Sequence, residues 1–376
     1  MGPRQPDWDE AGCLNLNVWT PDAAFAEDGE PRPVLLWFHG GAFGSGSGGW
    51  DWYDGRRLAA AGDIVVVTAN YRLGPLGYLW LPEIGADNLG SCDQAAALEW
   101  VRSNIGAFGG DPGVITVGGQ SAGAYSALAL ALDPTTSGLV SRLILQSGPW
   151  GMPALQPGDA AEITAAYLRL LGISEKDKLD ESLRSVRVND LLGAHGRLAA
   201  ERAKPGGVTP LMYPVTGGFG LPADWRGPAR SDGLAGKQVL IGSTSDEMTA
   251  FLPRHAVGDY LDERVTRASD EIFGAGVTEI ARYCAAAGSP AFAYRFGRHS
   301  PADTGLGAPH CAELPFLFGT FAAFGDAPML GPVTEADHAL SREFATALAT
   351  FTATGSPGGS WPAYEPENGR HVRRFG

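Results

Sequence analysis

The first 150 residues alternate short apolar runs with longer stretches whose apolar positions recur at helical spacing. That pattern predicts a mainly parallel sheet covered on both faces. Val34–Phe38 (VLLWF) and Ile64–Thr68 (IVVVT) are apolar at nearly every position and read as strands buried on both sides. Ile115–Val117 and Leu143–Leu145 read as two further strands. Between Asp93 and Asn104, and running on to Ile105, the series Ala97, Leu98, Val101 and Ile105 predicts a helix, with Asp93 as its N-cap or first-turn acid. Ala122–Leu132 is rich in Ala and Leu and stops before Asp133-Pro134, which predicts a second helix.

From about Trp150 to Gly236 the strand pattern fades. A charge-bearing helical stretch gives way to the Gly/Pro-rich run Lys204–Pro228, and the segment 151–235 reads as an insertion over the carboxyl edge of the sheet. Strand character returns at Val239–Gly242 and Ala291–Phe296, and Glu335–Thr354 reads as a long C-terminal helix. No repeat or low-complexity tract divides the chain, so residues 1–376 are expected to form a single α/β domain.

An apolar fraction of 44% with 19% charged residues is that of a globular protein. The net charge of −14 opposes binding to nucleic acid and to anionic membranes. No stretch approaches the roughly 18 apolar residues of a membrane span, and the opening MGPRQPDWDEAG has no signal-peptide pattern. The expectation is a cytoplasmic protein without membrane insertion, or a secreted one if an upstream segment has been removed. Cys13, Cys92, Cys284 and Cys311 are scattered without metal-ligand spacing, so no metal or other cofactor is expected, and free thiols are favoured over disulfides.

Gly119-Gln120-Ser121-Ala122-Gly123 is a G-x-S-x-G string. Alone it would be as readily a turn as a site. Here it follows the strand Val114–Val117 and leads into the Ala/Leu helix, which is the strand–turn–helix setting of a nucleophile elbow. Phe38-His39-Gly40-Gly41-Ala42-Phe43 follows an earlier strand and has the form of an oxyanion loop. Gly41, Ala42 and Ala122 are then the expected backbone donors, with Gly40 shaping the loop. A Ser hydroxyl needs a base, and the base needs an orienting carboxylate, in the chain order Ser, acid, His. Among His255, His299, His310, His338 and His371, His310 is favoured because Gly307-Ala308-Pro309-His310 makes a loop after the strand Ala291–Phe296. Asp246 and Glu247 both lie just past a strand, and spacing leaves the acid open between them. Trp50, Trp52, Trp80 and Trp150 lie near loops that could border the site, although core packing is the commoner use of each.

Leu89–Gly123 (LGSCDQAAALEWVRSNIGAFGGDPGVITVGGQSAG) closely resembles the active-serine region of the type-B carboxylesterases, the group that includes the cholinesterases. CLNLNVWTP at Cys13–Pro21, WFHGGAF at Trp37–Phe43, ILQSG at Ile144–Gly148, SDE at Ser245–Glu247, GAPHCAELPFLFG at Gly307–Gly319 and the late SPGGSWPAY are similar to other parts of that family, in the same order. The resemblance implies an α/β-hydrolase fold and hydrolysis of carboxylic esters through an acyl-enzyme. It implies Ser121, His310 and Glu247, rather than Asp246, as the triad, with Gly41, Ala42 and Ala122 as the oxyanion hole. The partner it implies is a small-molecule ester. Gln120 stands where the family usually has Glu, which makes choline esters less expected, and Met248 stands where it usually has Gly. The chain also begins close to CLNLN, without the family's opening strands or the Cys that would pair with Cys13. The stretch between Glu247 and His310 is short and the end comes early. Because the family's opening strands form part of the sheet edge and gorge wall, the expectation is either a more open site or an incomplete or compacted, less stable chain. Two other readings remain: a non-catalytic, partner-binding member of the fold, and a hormone-sensitive-lipase-like esterase. The complete set of triad residues opposes the first, and Asp93–Val101 with the DE acid opposes the second.

Overall fold

The computed structural model describes residues 9, 11–26, 29–174, 178–203, 207–220, 224–251, 263–303, 305–366 and 371–376. Its centre is an eight-stranded sheet in the order β1-β3-β2-β4-β5-β6-β7-β8. The strands are β1 (Leu16–Trp19), β2 (Arg32–Phe38), β3 (Val65–Ala69), β4 (Gly110–Gln120), β5 (Arg142–Gln146), β6 (Gln238–Thr244), β7 (Ala291–Phe296) and β8 (Val372–Phe375). Only β1 runs antiparallel to its neighbour; the other pairings are parallel. This is the expected α/β-hydrolase architecture.

Side chains alternate across a strand, and both faces of this sheet are covered, so the central strands must be apolar at consecutive positions. In β2, Val34, Leu36 and Phe38 enter a core with Val65, Val67, Ile115 and Val117, under the helices Leu89–Asn104 and Ala122–Leu132. Leu35 and Trp37 enter the opposite core with Val66, Ile144, Leu240 and Phe344, the last from the helix Glu335–Thr354. That helix begins with a capping box at Thr334 and Asp337 and ends at Gly355 in the left-handed conformation.

The helices Ala122–Leu132 and Glu335–Thr354 and the strand Ala291–Phe296 have the expected bounds. Three local expectations need correction. Asp93 is neither N-cap nor first-turn acid, because the helix starts at Leu89 behind Asn88. Asp93 is instead inside the helix, where its carboxylate accepts three bonds from Arg72, from the backbone N–H at 2.9 Å, Nε at 2.8 Å and Nη2 at 2.7 Å. The strand expected at Ile115–Val117 extends over Gly110–Gln120, with a register shift opposite Arg32 and Val34. The edge strands β1 and β8 were not anticipated. Between 151 and 235 the described residues form the helices Pro157–Leu170, Leu179–Ser185, Val188–Arg202 and Arg226–Ser231, with one isolated bridge between Leu155 and Val215. Among the described residues no helix is long and apolar enough to cross a membrane. None of the four cysteines is in a disulfide.

The chain leaves β2 towards β3 on one side, then returns to place β4 on the other. Carboxyl ends of adjacent parallel strands diverge at such a reversal and leave a crevice. The register sets Phe38 beside Gly119, so the loops after β2 and β4 open together at this crevice.

Candidate active site

Ser121 stands between the last residue of β4 and the first of the helix Ala122–Leu132, with φ 58° and ψ −121°. A non-glycine residue rarely takes such a backbone, and strain of this kind persists where the surroundings over-determine it. Here the constraint is close packing. A Cβ on Gly123 would lie 2.0 Å from the Phe38 carbonyl oxygen, and one on Gly40 would lie 2.7 Å from Gln120 Oε1 and 3.1 Å from Ser121 Cβ. The turn is further tied to β5 by the Ser121 N–H, which donates to Gln146 O at 2.8 Å.

The loop after β2 is strained as well: φ is 121° at Gly41, 55° at Ala42 and 58° at Phe43. Its curl is closed by the Gly44 and Ser45 N–H groups, both donating to Gly41 O. Among the described residues, the N–H groups of Gly41, Ala42 and Ala122 have no protein acceptor. They are available to an oxygen at the crevice. His39 is buried, and its ring stacks on Tyr71 at 4.5 Å with Nδ1 2.8 Å from Gly40 O. Burial lowers its pKa to about 4, so the ring is neutral at pH 7 and serves as packing beneath the loop.

His310 and Glu247 come from the loops after β7 and β6. Glu247 is 1% exposed; its Oε1 accepts the Thr244 N–H at 2.8 Å, and its Oε2 lies 2.5 Å from His310 Nδ1. A proton on Nδ1 donated to that carboxylate leaves Nε2 as the acceptor end of the ring. Nε2 lies 3.2 Å from Gln120 Nε2, one residue before Ser121. Among the described residues the Ser121 hydroxyl makes no hydrogen bond. The rings of Phe273 and Phe251 lie 4.9 and 5.2 Å from the imidazole.

Asp246 has a different position. Its carboxylate accepts the Ala308 N–H at 2.8 Å, and its own N–H donates to Ala308 O at 2.9 Å, which fastens the His310 loop to the end of β6. His299 lies 3.5 Å from the same carboxylate at the surface, His338 packs on Phe321, and His371 is exposed beside β8. His255 lies outside the described residues.

Of the further contributors to this region, Trp52 was among the four tryptophans expected near the site and Met248 was noted as a departure from the family, whereas Glu313 was not anticipated from the sequence. Met248 is buried with Val265 and Phe273, so it anchors the phenylalanine that supports His310. Trp52 borders the same cavity as His310, whereas Trp150 is fully buried. Close to Glu247, Glu313 is fully buried, with Ser147 Oγ donating to it at 3.5 Å. Desolvation, reinforced by the Glu247 carboxylate, pushes the Glu313 pKa up to about 8. In the sequence it stands three residues after His310, within the family-like string Gly307–Gly319.

The Carboxylesterase family model matches residues 3–268 and 253–374 of the chain. A probable N-octanoylanthranilate hydrolase of Rhodococcus erythropolis is 40% identical over 86% of this chain and 71% of its own length. The para-nitrobenzyl esterase of Bacillus subtilis (strain 168) is 35% identical over 97% of this chain and 78% of its own. A solved PNB esterase structure superposes with a TM-score of 0.84 at 34% identity, covering 94% of this chain and 77% of the other. With a crevice of this build and likeness along nearly its whole length, the chain belongs to the carboxylesterase family and is a serine carboxylesterase.

Proposed function

We propose that Ser121 is the nucleophile, His310 its general base and then acid, and Glu247 the carboxylate that orients and stabilises the imidazolium. Gly41, Ala42 and Ala122 donate their N–H groups to the oxyanion. In the first half-reaction Ser121 Oγ attacks the ester carbonyl as its proton passes to His310 Nε2. The tetrahedral oxyanion forms against the three donors, each of which is worth on the order of 10²–10³ in rate. His310 then returns the proton to the departing alcohol oxygen, leaving an acyl-enzyme. Water activated by the same nitrogen releases the acid and restores Ser121.

The observation that carries this reading is the Glu247–His310 pair ending at Gln120, beside a serine held at φ 58° with unpaired N–H groups facing the crevice. The substrates are small to medium apolar esters, in keeping with the net charge and the phenylalanine surround. The segment 151–235 belongs to the same single domain as a cap. Ser121→Ala is expected to lower kcat for p-nitrophenyl butyrate by at least about 10⁴-fold with an unchanged circular dichroism spectrum. Undiminished turnover in that variant would overturn the assignment.

A further inference from the structure

The Nε2 atom of a neutral imidazole has a single lone pair, and in this site adjacent residues, Gln120 and Ser121, both carry a donor that can use it. Because the Nδ1 proton is directed to Glu247, the His310 ring takes the tautomer whose Nε2 only accepts. The Gln120 amide, 3.2 Å away, must then face it with its nitrogen end rather than its oxygen. The Ser121 hydroxyl needs the same lone pair before it can attack. In this structure the amide holds it, and among the described residues Ser121 Oγ makes no hydrogen bond.

Gln120 is buried, so water does not replace a bond its amide gives up, and a donor that leaves Nε2 needs another acceptor. The Cys311 sulfur lies within hydrogen-bonding reach of the Gln120 side chain and is a weak acceptor. On the other side Gly40 leaves room, since a Cβ there would lie 2.7 Å from Gln120 Oε1. The amide therefore has space to turn and a second place to donate.

We propose that Gln120 is a positioning residue that holds neutral His310 in a resting state, with its amide on Nε2, and that Ser121 gains its base only when the amide turns away. The proposal rests on the Ser121–His310 assignment and adds a step that precedes attack. An imidazolium carries N–H on both nitrogens and has nothing with which to accept the amide, so the same bond opposes protonation of Nε2. The other titratable groups around the ring act elsewhere. Glu247 faces Nδ1, with the Glu313 carboxyl and Tyr294 hydroxyl near it, and Cys311 follows in the chain, near Tyr53. Asp246, with His299 on its outer side, holds the backbone of the loop, and Phe251 and Phe273 cover the ring without charge.

Two variants test the resting bond. In Gln120→Glu a donor becomes a carboxylate that accepts from the protonated ring. The acid limb of the kcat/KM profile for p-nitrophenyl butyrate is expected to move to higher pH by at least about one unit relative to the unaltered enzyme. In Gln120→Met the donor is lost at similar volume. The rate constant for fluorophosphonate reaction at pH 8, which needs only Ser121 and its base, is expected to rise by about 2- to 10-fold, the worth of one hydrogen bond. Packing alone would lower both rates at every pH and leave the limb in place. An unmoved limb in Gln120→Glu overturns the proposal, and so does an unchanged or lower fluorophosphonate rate in Gln120→Met. A crystal structure of the unreacted, unaltered enzyme needs no variant: the Gln120 amide is expected on Nε2, and Ser121 Oγ in its place overturns the proposal. Stoichiometric fluorophosphonate labelling of Ser121 in the unaltered enzyme is measured alongside; its absence would mean that the triad assignment has failed, rather than the resting bond.

Discussion

The two sides of the crevice are built on different physical terms. On the side of β2 and β4, function is set by sterics: adjacent strands bring Gly40 and Gly123 against Ser121 and Phe38, and positive φ angles recur at Gly41, Ala42, Phe43 and Ser121. On the side of β6 and β7, it is set by electrostatics: Glu247 and Glu313 are buried side by side, and desolvation, reinforced by the Glu247 carboxylate, pushes the Glu313 pKa up to about 8. The first side fixes where atoms can sit. The second fixes where protons sit.

The largest break in that comparison should come from the acid pair. Glu247→Gln leaves the shape intact but removes the charge facing Nδ1, and kcat is expected to fall by about 10⁴-fold. Asp246→Asn, which loosens only the anchor of the histidine loop, is expected to lose less than about 10²-fold. Steady-state rates of the two variants check this, and a larger loss at Asp246 would exchange their roles.

Glu313 gives a pH-dependent effect. With its folded pKa near 8 against a reference of 4.5, the native state keeps a proton that the unfolded chain has released. Its contribution therefore makes stability fall as pH rises through that window. Glu313→Gln, neutral at every pH, is expected to flatten this part of the profile, read as urea midpoints at pH 6 and pH 9. An equally steep fall in the variant would show that Glu313 does not hold the proton.

The smallest effect belongs to the steric side. Ala42 sits at φ 55°, where an L side chain is strained, but Gly also gains freedom in the unfolded chain. Ala42→Gly is expected to raise stability by no more than about 1 kcal/mol, with its N–H still available and esterase activity retained. A large loss of activity would mean that the Ala42 methyl group, and not only its N–H, matters.

The same division explains what could be read in the sequence. β2 and β3 announce themselves because burial on both faces requires uninterrupted apolar residues. β8 does not: Val372–Phe375 is VRRF at a sheet edge, held by backbone pairing with β7, with Arg374 exposed and Arg373 half-buried over Trp361 and paired with Glu343. β1, also an edge strand, is only half-buried throughout. The helix Leu89–Asn104 starts earlier than expected because Asn88 enters it from a left-handed conformation, ahead of a glycine that carries no helical signal. The strings Phe38–Phe43 and Gly119–Gly123, both strained where they leave their strands, were legible as continuous motifs, each read off one strand end. Asp246 and Glu247 were separable only by family resemblance, since neighbours in sequence turn to different partners: Ala308 for one, His310 for the other. Gln120 was visible as a departure from the family, but its approach to His310 joins residues 190 apart and follows from the sheet order. Trp52 was named only as one of four tryptophans near loops, and Glu313 not at all, because both reach this region by tertiary packing, for which the sequence carries no periodic mark.

The most direct measurement of the central claim is reaction of the intact enzyme with a fluorophosphonate, followed by intact mass and peptide mapping. One adduct per chain is expected, located on Ser121 and lost in both Ser121→Ala and His310→Ala. No adduct, or one on a different residue, would contradict the account.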